Sequence, residues 1–275
     1  MKDSPEILKP QVAGVLYPSH AESLLKNLED LCLENNLEKK LPGRPKALII
    51  PHGGFLYSGS VMAKAFSLIK NLPEKDKYKI KKIVILAPAH QLSFSGIATH
   101  QADYFSTPLG LLKLDQKVIT ELFEVQELSY LDLAFAQEHT VEMVLPFIQY
   151  ALDPQAISII PLIIGECSSQ SVLMLLNCLD GLELDNILII ISSDLSQYQP
   201  YQIAREQDEW TKTQILNLNG ADISHDDACG DVSIRALLHY AQKKSWKCEC
   251  LDLKNSGDLT GDKDKVVGYG AFYFY

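Results

Sequence analysis

Two kinds of apolar pattern alternate along this chain. In one, apolar residues run together: Ala47-Leu48-Ile49-Ile50, Ile83-Val84-Ile85-Leu86-Ala87 and Ile187-Leu188-Ile189-Ile190-Ile191 without a break, and Ile157 to Ile164 interrupted at Pro161. Short continuous runs bounded by turn residues predict strands buried on both faces, the habit of parallel sheets. In the other, apolar residues recur at helical spacing. This predicts helices over Ala21 to Asn35, with Leu24, Leu25, Leu28 and Leu31 on one stripe, and over Gly59 to Lys70. It predicts further helices over Val141 to Leu152, Ser169 to Leu179, Ile203 to Leu218 and Val232 to Lys244. Ser19 is the expected N-cap of the first helix, and Pro42-Gly43 is the expected break before the first long strand. Gly96 to Thr99 and Leu111 to Leu114 read as short strands around Thr107-Pro108-Leu109-Gly110, a hairpin at a sheet edge. Strands near Cys248 to Leu253 and Gly268 to Phe274 close the chain. Strands and helices alternate from end to end with no repeat or linker. The expected fold is a single α/β domain over residues 1–275, a mostly parallel central sheet flanked by helices.

Three of the apolar runs end in residues able to hold a metal or a proton. They lead into Pro51-His52, Pro88-Ala89-His90 and Ser192-Ser193-Asp194. In open α/β sheets the ligand crevice lies beyond the carboxyl ends of the strands. Two histidines and an aspartate from distant positions are thereby delivered to one edge of one sheet. The pair His52 and His90 suits an imidazole site for a transition metal. Asp194 can orient a ligating histidine and fix its tautomer, or serve only as a turn residue. His139 precedes a helix whose first amides can receive an anion, or its ring simply bonds a neighbouring loop. Cys229 stands before a helix near Asp231, which favours its thiolate, although Asp226, Asp227 and Asp231 oppose that. It suits metal ligation or nucleophilic work, or it is a small buried residue.

Charge narrows the partners. Lys plus Arg is 25 and Asp plus Glu is 35, a formal charge of −10. Nucleic acid is therefore not expected as the main partner, because phosphate binding needs a basic surface. Met1 to Pro10 carries no apolar leader-like stretch, and no apolar run approaches the ~20 residues of a membrane helix. A cytoplasmic location is expected, with the six cysteines reduced. No C-x-x-C pair is present; Cys248 and Cys250 fall on one face of a strand and read as packing residues.

The order of short motifs resembles the Memo family, whose bacterial and archaeal members are called AmmeMemoRadiSam system protein B. The matching landmarks run from Gly14-Val15-Leu16-Tyr17-Pro18 through the His52 and His90 segments to Thr107-Pro108-Leu109-Gly110. They continue through Glu138-His139, Pro146-Phe147-Ile148, Asp194-Leu195-Ser196 and Cys229-Gly230. They end at Asn255-Ser256-Gly257-Asp258 and Val266-Val267-Gly268-Tyr269. The resemblance implies a fold like that of the class III extradiol dioxygenases, which are non-haem iron enzymes. It implies a metal pocket of His52, His90 and Cys229, lined by His139 and Asp194. The metal expected is a divalent transition ion, iron first, with copper or zinc as alternatives.

It also implies work beside an AMMECR-type protein and a radical-SAM protein. The chain departs from the family where it has His52-Gly53-Gly54-Phe55 for His-Ala-Gly-Tyr, and Ala87-Pro88-Ala89-His90-Gln91 for Gly-Pro-Ser/Asn-His-His. It has Gln197 where the family's Asp-Leu-Ser-His-Tyr places the histidine matching the dioxygenase acid/base. Glutamine cannot exchange a proton near neutral pH. Metal-dependent redox chemistry on an unspecified substrate is one expectation. A non-catalytic module that holds a peptide or small molecule in an enzyme-like pocket is the other. Nucleophilic catalysis by Cys229 is a third and weaker one.

Overall fold

The computed structural model describes residues 4–35, 43–182 and 184–275. Twelve strands among them form one sheet: β1 (Ile7–Leu8), β2 (Ala47–Ile50), β3 (Lys82–Pro88), β4 (Ile97–Thr99), β5 (Tyr104–Thr107), β6 (Gly110–Leu114), β7 (Leu128–Tyr130), β8 (Ser158–Ile164), β9 (Ile187–Ser192), β10 (Gln197–Gln199), β11 (Cys248–Asn255) and β12 (Val266–Phe274). The four long apolar runs are adjacent in the order β8-β3-β9-β2, all parallel. Every residue of β2 and β9 is buried, as is all but the first residue of β3 and β8. Further strands, most of them antiparallel to their neighbours, flank this centre. On one side β12 pairs with β2, and both β10 and β11 pair with β12. On the other, β6 pairs parallel with β8, and β5 turns back on β6 as a hairpin. The strand Tyr104–Thr107 is the hairpin partner of β6, so the edge excursion has one more strand than the sequence suggests. The excursion before it, β4, pairs with β8 and β7 instead.

Pro161 sits inside β8 without interrupting it. The outer neighbour of β8 is β6 at Ser158 and Ile159 and β4 at Ile163 and Ile164. The proline falls where that neighbour changes, so no ladder bond needs its missing donor. Its carbonyl accepts the Thr99 hydroxyl at 3.0 Å.

The helices form two packed groups. Ala21–Glu34, Phe55–Lys70 and Leu145–Ala151 lie against one another, as do Ser169–Cys178 and Asp231–Lys243. The first helix departs from its expected start: the cap residue is His20, in extended conformation and without a side-chain cap bond, not Ser19. Its buried stripe is Leu24, Leu28 and Cys32, while Leu25 is exposed. The Phe55–Lys70 helix begins a turn before Gly59, directly after the His52 turn. Pro42, half of the expected break before β2, lies outside the described residues. Cys248 and Cys250 are half-buried on β11, with a bulge between Cys250 and Asp252. No helix among the described residues is long and apolar enough to cross a membrane.

Candidate metal centre

The carboxyl ends of β2, β3 and β9 bring His52, His90 and Asp194 together, and the loop before the Asp231–Lys243 helix adds Cys229. The Nε2 atoms of His52 and His90 face each other at 3.2 Å. The Cys229 Sγ lies 3.5 Å from the same His52 Nε2. One ligand atom from each of the three residues lies within 4.8 Å of the others. Two facing imidazole nitrogens either share a proton or share a cation. Neutral imidazoles beside a thiol form a donor set suited to zinc, copper or iron.

The local structure prepares His52 for that role. Its Nδ1 is 2.9 Å from the Ser192 Oγ, and that hydroxyl donates to the Thr140 carbonyl at 2.7 Å. The serine hydrogen being committed, Oγ accepts from Nδ1–H, which leaves the Nε2 lone pair directed at His90 and Cys229. Burial, with the neighbouring His90 and His139, pushes the His52 pKa well down and keeps the ring neutral. Burial lowers His90 too, helped by His139 and opposed by Glu138. The tautomer is thus set by Ser192, and of the two roles expected for Asp194 the turn is the one it takes. Asp194 instead holds the backbone of the turn. Its Oδ1 accepts His52 N–H at 2.9 Å and Gly53 N–H at 3.3 Å, while Oδ2 stands 3.9 Å from His52 Nε2. Burial pushes the Asp194 carboxyl up to about 6, against the lowering pull of those two amides.

Cys229 is held by the same strand end. Its N–H donates to the Asp194 carbonyl at 3.2 Å, and Gly230 N–H donates to the Ser193 Oγ at 2.9 Å. A Cβ at Gly230 would meet the Ser193 Cβ at 2.8 Å, so only glycine allows this approach. The helix start does not depress the thiol: burial, reinforced by Asp194, pushes it up. A ligand thiolate at this position needs a cation to replace its proton.

His139 stands beside the group, its ring centroid 5.8 Å from that of His52 and 6.1 Å from that of His90. The amides at this helix start do not await an external anion. The His139 and Thr140 N–H groups donate to Glu138 Oε1 at 2.8 and 3.1 Å, and the Thr140 hydroxyl donates to the Pro88 carbonyl at 3.0 Å. The other oxygen of Glu138 accepts the His90 N–H at 2.6 Å and the Gln91 N–H at 3.3 Å. Burial would raise this carboxyl, but the His90 and Thr140 amides, the His90 charge and the His139 amide hold it below the usual carboxylate range. Neither Glu138 nor Ser192 stood out by residue type. Their partners are 48 and 140 positions away, which spacing cannot reveal.

A cavity of about 300 Å³ opens from His90 and Cys229, with Leu92, Phe94, Ile164 and Val232 on its walls. Gln197 does not line it. The backbone pairs Leu195 N–H to Gly268 O and Gly268 N–H to Ser196 O carry the chain onto the edge strand β10, opposite Val267. There Gln197 is half-buried, its backbone paired with Val267. A second group with metal-ligand spacing, Glu6, His100 and Asp132, also occurs. In it the His100 Nδ1 already accepts the Ala102 N–H at 2.9 Å.

The Memo-like protein family profile matches residues 9–273. The chain belongs to the Memo-like protein family. It is 31% identical to a MEMO1 family protein of Methanosarcina barkeri, over 96% of this chain and 98% of that protein. It is 30% identical to one from Methanocaldococcus jannaschii, over 97% and 98%, and 30% to one from Aquifex aeolicus, over 98% and 99%. Among solved structures, an uncharacterized protein of Escherichia coli K12 shares the fold, with a TM-score of 0.52 and 15% identity. The match covers 82% of this chain and 98% of that one. The Memo resemblance and the α/β architecture expected from the sequence both stand.

Proposed function

We propose that this Memo-family chain is a metal protein whose divalent transition ion is held by His52, His90 and Cys229, and that it acts on a small ligand entering from the adjoining cavity. The observation that carries this reading is the convergence of two Nε2 atoms and one Sγ within 4.8 Å, with the His52 tautomer already fixed by Ser192. The donors mix borderline imidazole with soft thiolate, which suits iron, copper or zinc, and iron is put first on the resemblance to non-haem iron dioxygenases. A bound ion would supply Lewis-acid or redox chemistry at the cavity floor. The chain's own groups do the rest. Ser192 orients His52, and Asp194 fixes the turn that carries it. His139 is the nearest further imidazole, its ring beside those of His52 and His90. Gln197 does not replace the family histidine, because it neither titrates nor reaches the cavity. Iron-loaded protein should show negligible ring cleavage of simple catechols, read by oxygen consumption; robust cleavage would contradict this assignment of Gln197. Anaerobic purification with metal analysis tests the centre itself: one ion per chain, lost in Cys229→Ser, is expected.

A second reading, ligand or peptide binding without turnover, is favoured by Val15 and Leu56. These are 80% and 78% exposed and flank the His52 turn, where the Phe55 N–H donates to the Leu16 carbonyl at 2.9 Å. Assembly with an AMMECR-type protein and a radical-SAM protein is part of the same proposal, and co-purification of the three expressed together tests it.

A further inference from the structure

We propose that Glu138 is a positioning residue for the metal set, tying the His90 turn to the His139 turn so that the His90 imidazole stays facing His52. The proposal rests on the metal-centre reading above and assigns a residue outside the ligand set. Each oxygen of this buried carboxylate receives two backbone amides of one turn. Oε2 takes His90 at 2.6 Å and Gln91 at 3.3 Å; Oε1 takes His139 at 2.8 Å and Thr140 at 3.1 Å. Two further bonds extend the network. Thr140 Oγ1 donates to Pro88 O at 3.0 Å, and Ser192 Oγ donates to Thr140 O at 2.7 Å while accepting from His52. The Glu138–Thr140 turn is therefore the hub through which the ends of β3 and β9 are held in register with the His52 ring. His90 needs this. Its side chain is exposed to the cavity, so packing does not fix it as it fixes His52. The buried anion also stands beside the site of a cation, which favours holding a divalent ion there.

Glu138→Gln separates the hub from mere bulk. One carboxylate oxygen becomes an NH₂ that must face two amide donors, so one turn is released while size is kept. Cobalt(II) titration of the purified chain supplies two readouts, affinity and the thiolate-to-cobalt charge-transfer band. Loss of such outer partners typically weakens metal binding ~10–100-fold, and that loss with a shifted band is expected for Glu138→Gln. Should that variant fail to fold, Glu138→Asp keeps the charge but is too short to span both turns, and the same loss is expected.

Glu142→Gln is the control. Glu142 is equally buried and takes the Gln11 and Val12 amides and the Tyr17 hydroxyl, none of them a cluster residue. It should lower thermal stability and leave cobalt affinity and spectrum unchanged. Wild-type affinity and spectrum in the Glu138 variants, or an equal loss in Glu142→Gln, would overturn the assignment while leaving the metal centre intact. Cobalt binding that is the same in wild type and Cys229→Ser would overturn the metal centre itself, and this inference with it.

Discussion

Ser192→Ala removes a single oxygen that two buried groups depend on. Ser192 is fully buried, accepts the His52 Nδ1–H at 2.9 Å and donates to the Thr140 carbonyl at 2.7 Å. The alanine variant leaves a buried ring N–H and a buried carbonyl without these partners. Each such group costs ~1–3 kcal/mol, so the two together cost about 2–6 kcal/mol. For a chain of this size that lowers the melting temperature by about 2–4 °C for each kcal/mol. The functional effect is separate. Without the serine oxygen, nothing fixes the His52 proton on Nδ1, and metal affinity should fall ~10–100-fold. Thermal melts, zinc competition titrations and nitrogen-15 spectra of the histidine rings read the three quantities. Ser67→Ala serves as a reference, because Ser67 is also buried and donates to the Cys32 carbonyl at 3.2 Å, far from the cluster in the fold. It should lose stability and keep its metal affinity. If Ser192→Ala keeps both the Nδ1–H tautomer and wild-type affinity, the serine does not prepare the ligand and the reasoning fails.

Three other outcomes follow from the same structure. Cys229→Ser should weaken zinc or cobalt binding by at least ~10–100-fold, while Cys167→Ser leaves it unchanged, since only the first contributes to the cluster; equal effects would remove the special role of Cys229. Asp208 is buried, and burial, opposed by Ser196 and reinforced by Glu209 and Asp227, pushes its carboxyl from 3.8 up to about 6. The folded state therefore holds an extra proton between those values, and stability falls by about 2–3 kcal/mol as pH rises through the window. Asp208→Asn keeps the oxygen that accepts the Ser196 amide, so it should match wild type below about pH 4 and exceed it above about pH 6; chemical denaturation across pH checks this, and a constant difference would refute it. Gly165→Ala would drive a Cβ into the Phe94 backbone carbonyl and to 2.8 Å from the Phe94 ring on the cavity wall. Overpacking of this kind costs ~1–3 kcal/mol and should narrow the cavity without changing metal affinity, which melts and titration together would show.

The sequence alone determined the centre of the fold. Continuous apolar runs such as Ile187 to Ile191 have no polar face to turn to solvent, so they demand burial on both sides and hence a covered parallel sheet. Once they are strands, the residues just past their carboxyl ends must lie on one edge, which is why His52, His90 and Asp194 are legible in the sequence. Sequence could not say that β4 and the β5–β6 hairpin would meet β8 on either side of Pro161, because those short segments carry too little pattern to fix a partner. It placed Gln197 with the family's histidine but not on an edge strand outside the cavity lining, since that depends on pairing with Val267. For Cys229 and His139 it left two readings each, a helix start that favours a thiolate or an anion against a small buried residue or a loop-bonding ring. Tertiary packing decided against the helix-start reading, because burial outweighs a helix dipole at the thiol and a carboxylate of the chain itself fills the amides. The two residues that organise the site, Ser192 and Glu138, are ordinary in sequence. Their roles come from hydrogen bonds to backbone groups, and such bonds are set by which loops the sheet brings together.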